Sequence, residues 1–360
     1  MTEEQIYEKL KNRLGKIMPD FELREKAKIA AEIEVLKKER NAVILGHNYM
    51  EPALFNSVPD FTGDSLELSR KAADADADVI VFCGVKFMAE TAKILSPDKT
   101  VLLPAKVAGC SLASSITAED VRQLKKQFPG VPVVTYINTY ADVKAECDMC
   151  CTSGNAKAVV ESLDSEAVIF LPDEYLAKNV ALETNKRIIF PTHEPHDAQP
   201  SDVLDYQMIG WHGKCEVHDQ FRVEDIENAR RQFPGVKVLA HPECPPEICQ
   251  ACDFTGSTSA MITYVQDQPT GTKFLLMTEC SMADNIAAEN PDKEMVSVCS
   301  VRCPHMNEIT LEETRDALKY NQQIIELDED VRVKAKKSVD RMLEIGPSGT
   351  FSNAYGDGKS

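Results

Sequence analysis

Val236-Lys237-Val238-Leu239-Ala240-His241-Pro242-Glu243 opens the stretch that decides the fold, residues 236–303. A short apolar run ends in polar residues, and Gly256-Ser257-Thr258 then heads a helical segment. A second apolar run, Phe274-Leu275-Leu276-Met277, feeds Met282-Ala283-Asp284-Asn285-Ile286. A third, Met295-Val296-Ser297-Val298, leads to Cys303. Short apolar runs bounded by turn residues read as buried strands, and the intervening segments have helical length. The grammar is strand, polar strand end, hydroxyl residue at a helix start, strand, helix, strand, cysteine.

The same grammar occurs twice upstream. In the first copy, after a helical segment over 1–40, the strand 41–46 ends at His47-Asn48-Tyr49 and Gly63-Asp64-Ser65 opens a helix as an N-cap sequence would. A strand at 79–82, a helix at 87–95 and a strand at 101–103 follow, then Cys110. The second copy has a linking helix at 117–128 and a strand at 133–138 that carries Tyr136 and Asn138 at its end. Its helix start is Cys151-Thr152-Ser153-Gly154-Asn155, followed by a strand (168–171), a helix (175–183) and a strand (187–190). A loop rich in Pro and His, 191–213, delays its cysteine to Cys215. The third copy has its linking helix at 223–233. Spacing supports the repeat: Cys110 and Cys215 are 105 residues apart, as are Gln127-Phe128-Pro129-Gly130-Val131 and Gln232-Phe233-Pro234-Gly235-Val236. Ser65 precedes Ala89 by 24 residues, Ser153 precedes Ala177 by 24, and Thr258 precedes Ala283 by 25.

Alternating strands and helices of this length specify α/β units with parallel sheets covered on both faces. The expected fold is three pseudo-threefold-related α/β/α domains with short parallel sheets around a central cavity. The expected boundaries are 1–109 with 304–360, 110–214, and 215–303. The C-terminal segments (a helix from 311, the run 324–327 and a helix to 343) are expected to complete the first domain, and the tail 346–360 to be loose.

Composition narrows the function. The 360 residues carry a net charge of -18, which argues against nucleic acid and anionic membrane surfaces as partners. No apolar run approaches the ~20 residues that span a bilayer, and residues 1–11 are too polar and acidic for a signal peptide, so a cytosolic protein is expected. Twelve cysteines in such a chain point to metal or cluster binding rather than a disulfide scaffold, with buried inert thiols as the bland reading of most positions.

Ligands of parallel sheets bind beyond the strand carboxyl ends, where helix N-termini also point. The polar residues concentrate there: His47 and Tyr49, Tyr136 and Asn138, His241 and Glu243, with Ser65, Ser153, Ser257 and Thr258 at helix starts. Singly, each serine reads equally well as an N-cap and each histidine as a loop residue; their recurrence in three copies favours a site. One cysteine per copy suits a [4Fe–4S] cluster better than structural zinc, which is usually closed by four ligands in CxxC pairs. Three thiolates leave one iron open to substrate as a Lewis acid. Cys249-x-x-Cys252 and the run Cys147, Cys150, Cys151 compete as ligands or, for the first pair, as a redox couple.

With these residues assembled, the chain resembles the quinolinate synthase family. The matching motifs are Gly46-His47-Asn48-Tyr49, Gly63-Asp64-Ser65, Gly109-Cys110-Ser111-Leu112-Ala113, Tyr136-Ile137-Asn138-Thr139 and Cys150-Cys151-Thr152-Ser153. They continue with Trp211-x-Gly213-x-Cys215, His241-Pro242-Glu243-Cys244, Gly256-Ser257-Thr258-Ser259 and Cys303-Pro304-His305-Met306. Cys249-x-x-Cys252 departs from the family's pattern.

The resemblance implies condensation of iminosuccinate (iminoaspartate) with dihydroxyacetone phosphate to quinolinate, phosphate and water, in NAD biosynthesis. It implies one [4Fe–4S] cluster per chain on Cys110, Cys215 and Cys303. Tyr136, Ile137, Asn138, Ser153, His241, Pro242, Ser257 and Thr258 are then expected to line the substrate site, and Ser65 and Ser153 to lie near the phosphate. Glu243 and His47, with Tyr49 beside it, are the candidates for general acid/base work. An aspartate oxidase or dehydrogenase would supply the imine. Two rival readings remain: another open-iron hydro-lyase or aldolase on a small dicarboxylate, and a non-enzymatic redox or metal sensor.

Overall fold

The computed structural model describes residues 1–191, 206–296 and 301–345. Most of the loop 191–213, Cys299 and the tail from 346 lie outside the described residues. Two helices, α1 (Glu3–Leu14) and α2 (Asp20–Glu39), occupy the N-terminal stretch read as one helical segment; the break falls at Gly15 to Pro19. The first copy runs β1 (Ala42–His47), α3 (Pro52–Phe55), β2 (Phe61–Gly63), α4 (Ser65–Asp74), β3 (Val79–Cys83), α5 (Lys86–Leu95) and β4 (Thr100–Leu102). The second opens with α6 (Ala118–Gln127), β5 (Val133–Tyr136), α7 (Ala141–Ala145), β6 (Met149–Cys151) and α8 (Ala156–Glu161). It closes with β7 (Val168–Leu171), α9 (Glu174–Glu183), β8 (Ile188–Ile189) and β9 (Met208–Ile209). The third runs α10 (Val223–Gln232), β10 (Lys237–Ala240), α11 (Pro246–Ala251), β11 (Phe254–Thr255) and α12 (Thr258–Asp267). It ends with β12 (Lys273–Met277), α13 (Cys280–Glu289) and β13 (Glu294–Met295). Helices α14 (Pro304–Asn307), α15 (Leu311–Tyr320) and α16 (Glu329–Glu344) follow.

The fold is α/β, with three short parallel sheets of four, five and four strands flanked by helices, as the repeat leads one to expect. The chain gathers into two compact units: residues 1–110 with 262–327, and residues 111–261 with the chain from Asp328 onward. The first unit holds the sheet β2-β1-β3-β4 and the parallel pair β12–β13. The second holds the sheet β6-β5-β7-β9-β8 and the parallel pair β10–β11. Every residue of β3, β5 and β7 is buried, as parallel strands covered on both faces must be.

Local chemistry repeats along with the topology. Phe128 and Phe233 close α6 and α10, and each is followed by Pro and a glycine with φ of +80° (Gly130 and Gly235), a conformation that disfavours side chains. Asp64 caps α4, accepting from the backbone N–H of Leu66 and Glu67, and Thr117 caps α6.

Three features depart from the sequence reading. Each copy contains an extra short strand, β2, β6 or β11, just before its helix start. In the second unit a further strand, β9, falls within the stretch read as the loop 191–213 and pairs with both β7 and β8. Helix α15 packs on α2 and β3 within the first unit, whereas α16, expected there as well, packs on α7 and β6 in the second. The reason is its apolar face: Ala335, Ser338, Val339 and Met342 are buried, and the Ser338 hydroxyl donates to the Lys144 carbonyl on α7.

Met342 is fully buried. Met342→Ala should therefore cost about 2–4 kcal/mol of stability, read as a lowered urea midpoint. A change under about 0.5 kcal/mol would mean that α16 is not part of this core.

Candidate active site

Two turns at strand ends share one construction. After β1, the backbone N–H of Tyr49 donates to His47 Nδ1 (3.2 Å) and that of Met50 donates to the His47 carbonyl (3.0 Å). After β10, the backbone N–H of Glu243 donates to His241 Nδ1 (3.4 Å) and that of Cys244 donates to the His241 carbonyl (2.9 Å). A ring nitrogen that accepts cannot carry the proton, so each imidazole is held as its Nε2–H tautomer.

Each turn is also clamped from behind by an asparagine. The Asn285 amide donates to the carbonyls of Asn48 and Met50, and the Asn179 amide to those of Pro242 and Cys244. Asn285 lies two residues past Ala283 on α13, and Asn179 two past Ala177 on α9, so the clamp belongs to the repeat.

In the second unit the side chains converge on Glu243, which is buried. His218 Nδ1 lies 2.8 Å from Glu243 Oε2, and the Asn138 amide donates to Oε1 at 3.1 Å. Burial alone would raise the Glu243 pKa. His218, the nearby His241 and a hydrogen bond from Tyr136 outweigh it and hold the carboxyl ionised, below the usual carboxylate range. Asp173 behaves oppositely. It is fully buried at the cap of α9, and burial together with the Glu243 charge pushes its carboxyl well above the ordinary range.

His241 stacks on His218, ring centroids 5.0 Å apart, and its Nε2 lies 3.2 Å from Ser153 Oγ. Ser257 packs beside Gly154, and its hydroxyl accepts from the backbone N–H of Ala260, as a helix cap does. Thr258, the first residue of α12, is buried. Ile137 donates its backbone N–H to the Cys151 carbonyl, and Pro242 takes part through the carbonyl that Asn179 binds. Asn138 Oδ1 is buried without a hydrogen-bond partner among the described residues, an acceptor suited to a substrate N–H or O–H.

In the first unit the Tyr49 and Thr278 hydroxyls are 2.5 Å apart, and His47 meets the Tyr49 ring edge-on at 4.8 Å. Ser65 corrects the sequence reading in one respect: Asp64 is the cap, and Ser65 is the first residue of α4. Its hydroxyl is not needed to satisfy the helix end.

The thiols divide by exposure. Cys83, Cys147, Cys150, Cys151, Cys244 and Cys249 are buried, whereas Cys110, Cys215, Cys252 and Cys303 are partly exposed. Burial raises the pKa of the buried thiols and of Cys252, that of Cys249 to about 12. That is opposite to what a reactive CxxC couple requires. Gly213 sets the path to Cys215: a Cβ there would lie 2.4 Å from the Ser115 hydroxyl and 2.6 Å from the Pro172 carbonyl. Cys303 caps α14, and its backbone N–H points at the buried Glu279 carboxylate (3.4 Å). Burial raises the Glu279 pKa to about 7. Ligand atoms of Cys215, His218 and Glu243 all lie within 4.8 Å of one another, a donor set compatible with a metal cofactor.

Sequence reasoning missed His218, Asp173, Thr278 and the two asparagines. Thr278 directly follows β12, the strand-end position that marked the other site residues, and Cys215-x-x-His218 has ligand-like spacing. Asn179 and Asn285 were visible only as a recurrence at a fixed offset from the repeat alanines.

Residues 31–344 match the family model described as quinolinate synthetase A protein. Quinolinate synthase 2 of Mesorhizobium japonicum is 50% identical over 336 residues, covering 93% of this chain and 97% of that protein. The quinolinate synthase of Xylella fastidiosa is 53% identical over 311 residues, 86% of this chain and 85% of the relative. That of Agrobacterium fabrum is 50% identical over 337 residues, 93% and 91%.

Asn179→Ala would remove the buried amide donor that the Pro242 and Cys244 carbonyls share. We expect a loss of about 1–3 kcal/mol in thermal or urea unfolding. An unchanged midpoint would show that the clamp does not hold the Glu243 turn.

Proposed function

The chain belongs to the quinolinate synthetase A protein family, and on that premise we propose that it is a quinolinate synthase. It would act as a transferase, condensing iminosuccinate with dihydroxyacetone phosphate to quinolinate, phosphate and water. The observation that carries this reading is the buried, ionised Glu243 with Asn138, His218 and Cys215 around it, in a chain that matches the family over 31–344.

The substrate is a dicarboxylate with an imine nitrogen. Tyr136, Ser153, His241, Ser257 and Thr258 offer donors for its carboxylates, and Asn138 Oδ1 is an acceptor for the imine N–H. Forming the ring requires C–C bond formation, loss of phosphate, carbonyl isomerisation and dehydration, each with proton transfers. Glu243, ionised at neutral pH, is the base for removing a proton from substrate carbon, worth about 10²–10⁴-fold. The His47, Tyr49 and Thr278 group can hand a proton between oxygen atoms of the triose through the Tyr49 hydroxyl. Ser65 and the amino end of α4 suit the phosphate.

Cys110, Cys215 and Cys303 fit a [4Fe–4S] cluster in number and accessibility, since buried thiols elsewhere stay protonated. Such a cluster would supply a Lewis-acidic iron toward the substrate. The proposal includes three domains, 1–109 with α15, 110–214 with α16 packed on it, and 215–303, one for each repeat. It also includes the cytoplasm as the compartment. Among the described residues no helix is long and apolar enough to cross a membrane. An aspartate oxidase or dehydrogenase would supply the imine.

A second reading, a metal sensor without catalysis, draws on the grouping of Cys215, His218 and Glu243. It leaves the Tyr49–Thr278 pair and the helix-start hydroxyls unused. Turnover separates the two. Anaerobic holoenzyme given iminosuccinate and dihydroxyacetone phosphate should form quinolinate, and Glu243→Gln should lower kcat about 10²-fold or more. Metal binding without quinolinate formation would favour the sensor.

A further inference from the structure

The three repeat cysteines are docked alike. The first backbone N–H of α5, α9 and α13, on Lys86, Glu174 and Cys280, donates to the carbonyl of Ala108 (2.8 Å), Gly213 (2.8 Å) and Val301 (3.2 Å). Each of those carbonyls stands two residues before its cysteine, Cys110, Cys215 or Cys303. A helix start carries N–H groups with no partner inside the helix, so a loop carbonyl seated there satisfies both.

The third dock adds a closed ring of side-chain contacts. Arg302 Nη1 donates to Ser281 Oγ (2.7 Å), and the Ser281 hydroxyl donates to Glu279 Oε1 (3.3 Å). The same carboxylate oxygen accepts the backbone N–H of Cys303 (3.4 Å), and the Arg302–Cys303 peptide bond closes the ring. Arg302 Nη2 also reaches Asp284 Oδ2 at 3.2 Å. Glu279 and Ser281 are 1% and 0% exposed, so water does not compete for their bonds. On its far side the Cys303 carbonyl accepts from the backbone N–H of Asn307 (3.1 Å). With both of its peptide groups engaged, Cys303 presents a partly exposed thiol in a fixed direction.

We infer that Glu279, Ser281 and Arg302 are positioning residues for the Cys303 thiolate, holding it where an iron–sulfur cluster takes its third protein ligand. This rests on the cluster assignment in the proposed function. The three act through the backbone of residues 301–303 rather than as ligands. Detaching the thiolate requires that segment to lift from the start of α13, so the ring slows the loss of iron.

Anaerobic holoenzyme mixed with an excess of the ferrous chelator bathophenanthroline disulfonate reports iron loss by absorbance. Ser281→Ala and Arg302→Met should each release iron about tenfold faster than wild type, the size of one lost hydrogen bond to a charged group. Combined, they should exceed the faster single variant by no more than about twofold, because both open the same ring. Ile33→Ala, at a fully buried position of α2, weakens the same unit away from the ring and should release iron within about twofold of the wild-type rate.

Wild-type rates in both variants, rates that multiply in the double variant, or equal acceleration by Ile33→Ala would overturn the inference. Wild-type protein that carries no iron–sulfur cluster would sink the cluster reading and this inference together, so the two failures are distinguishable. The Arg302 side chain is 46% exposed, so its variant decides the matter even if Ser281→Ala fails to fold.

Discussion

The second unit depends on one constraint: a carboxylate, Glu243, is taken out of water and kept ionised. An isolated buried carboxylate would protonate. Here His218 and Asn138 occupy its two oxygens, and Tyr136 and His241 add to their effect. Much of the surrounding structure follows from keeping those partners in place. Asn179 fixes the turn that carries Glu243, the Cys215 turn fixes His218, and the end of β5 fixes Tyr136 and Asn138. Asp173, also fully buried, has its carboxyl pushed up by burial first and by the Glu243 charge second.

The first unit repeats the construction with a different chemistry. Its turn after β1 has the same histidine geometry and the same asparagine clamp, but Tyr49 stands where Glu243 stands in the other. The phenol finds a hydroxyl, Thr278, rather than an imidazole. A phenol–hydroxyl pair shuttles a proton without separating charge, whereas the carboxylate–imidazole pair holds a fixed negative charge. The repeat thus builds the same turn twice, with different side chains at its centre.

The strands and long helices were legible because buried parallel strands are apolar runs and their helices carry caps and Phe-Pro-Gly stops. The edge strands β2, β6 and β11 were not, because two or three residues containing Thr, Gly and Cys carry no periodicity. The second-unit location of α16 was hidden for another reason: an amphipathic helix shows that it packs, not on what. His47, Tyr49, Asn138, His241 and Glu243 could be placed at strand ends because short apolar runs mark the buried strands they follow. His218 could not be weighed, because a lone histidine after a cysteine gains meaning only when a buried carboxylate is found 2.8 Å away. The asparagine clamps act through backbone carbonyls, which no side-chain motif displays. Ser65 misled by a single residue, since Asp64 satisfies the helix end.

On the proposed function, the three repeat cysteines serve one cluster while the other thiols are structural. Iron and acid-labile sulfide in anaerobically purified protein, measured for wild type and for a series of single Cys→Ser variants, tests it most directly. About four iron and four sulfide per chain are expected for wild type, Cys147→Ser and Cys249→Ser, and cluster loss for Cys110→Ser, Cys215→Ser and Cys303→Ser. Stoichiometric zinc in place of iron, or a cluster that survives Cys303→Ser but not Cys249→Ser, would contradict it.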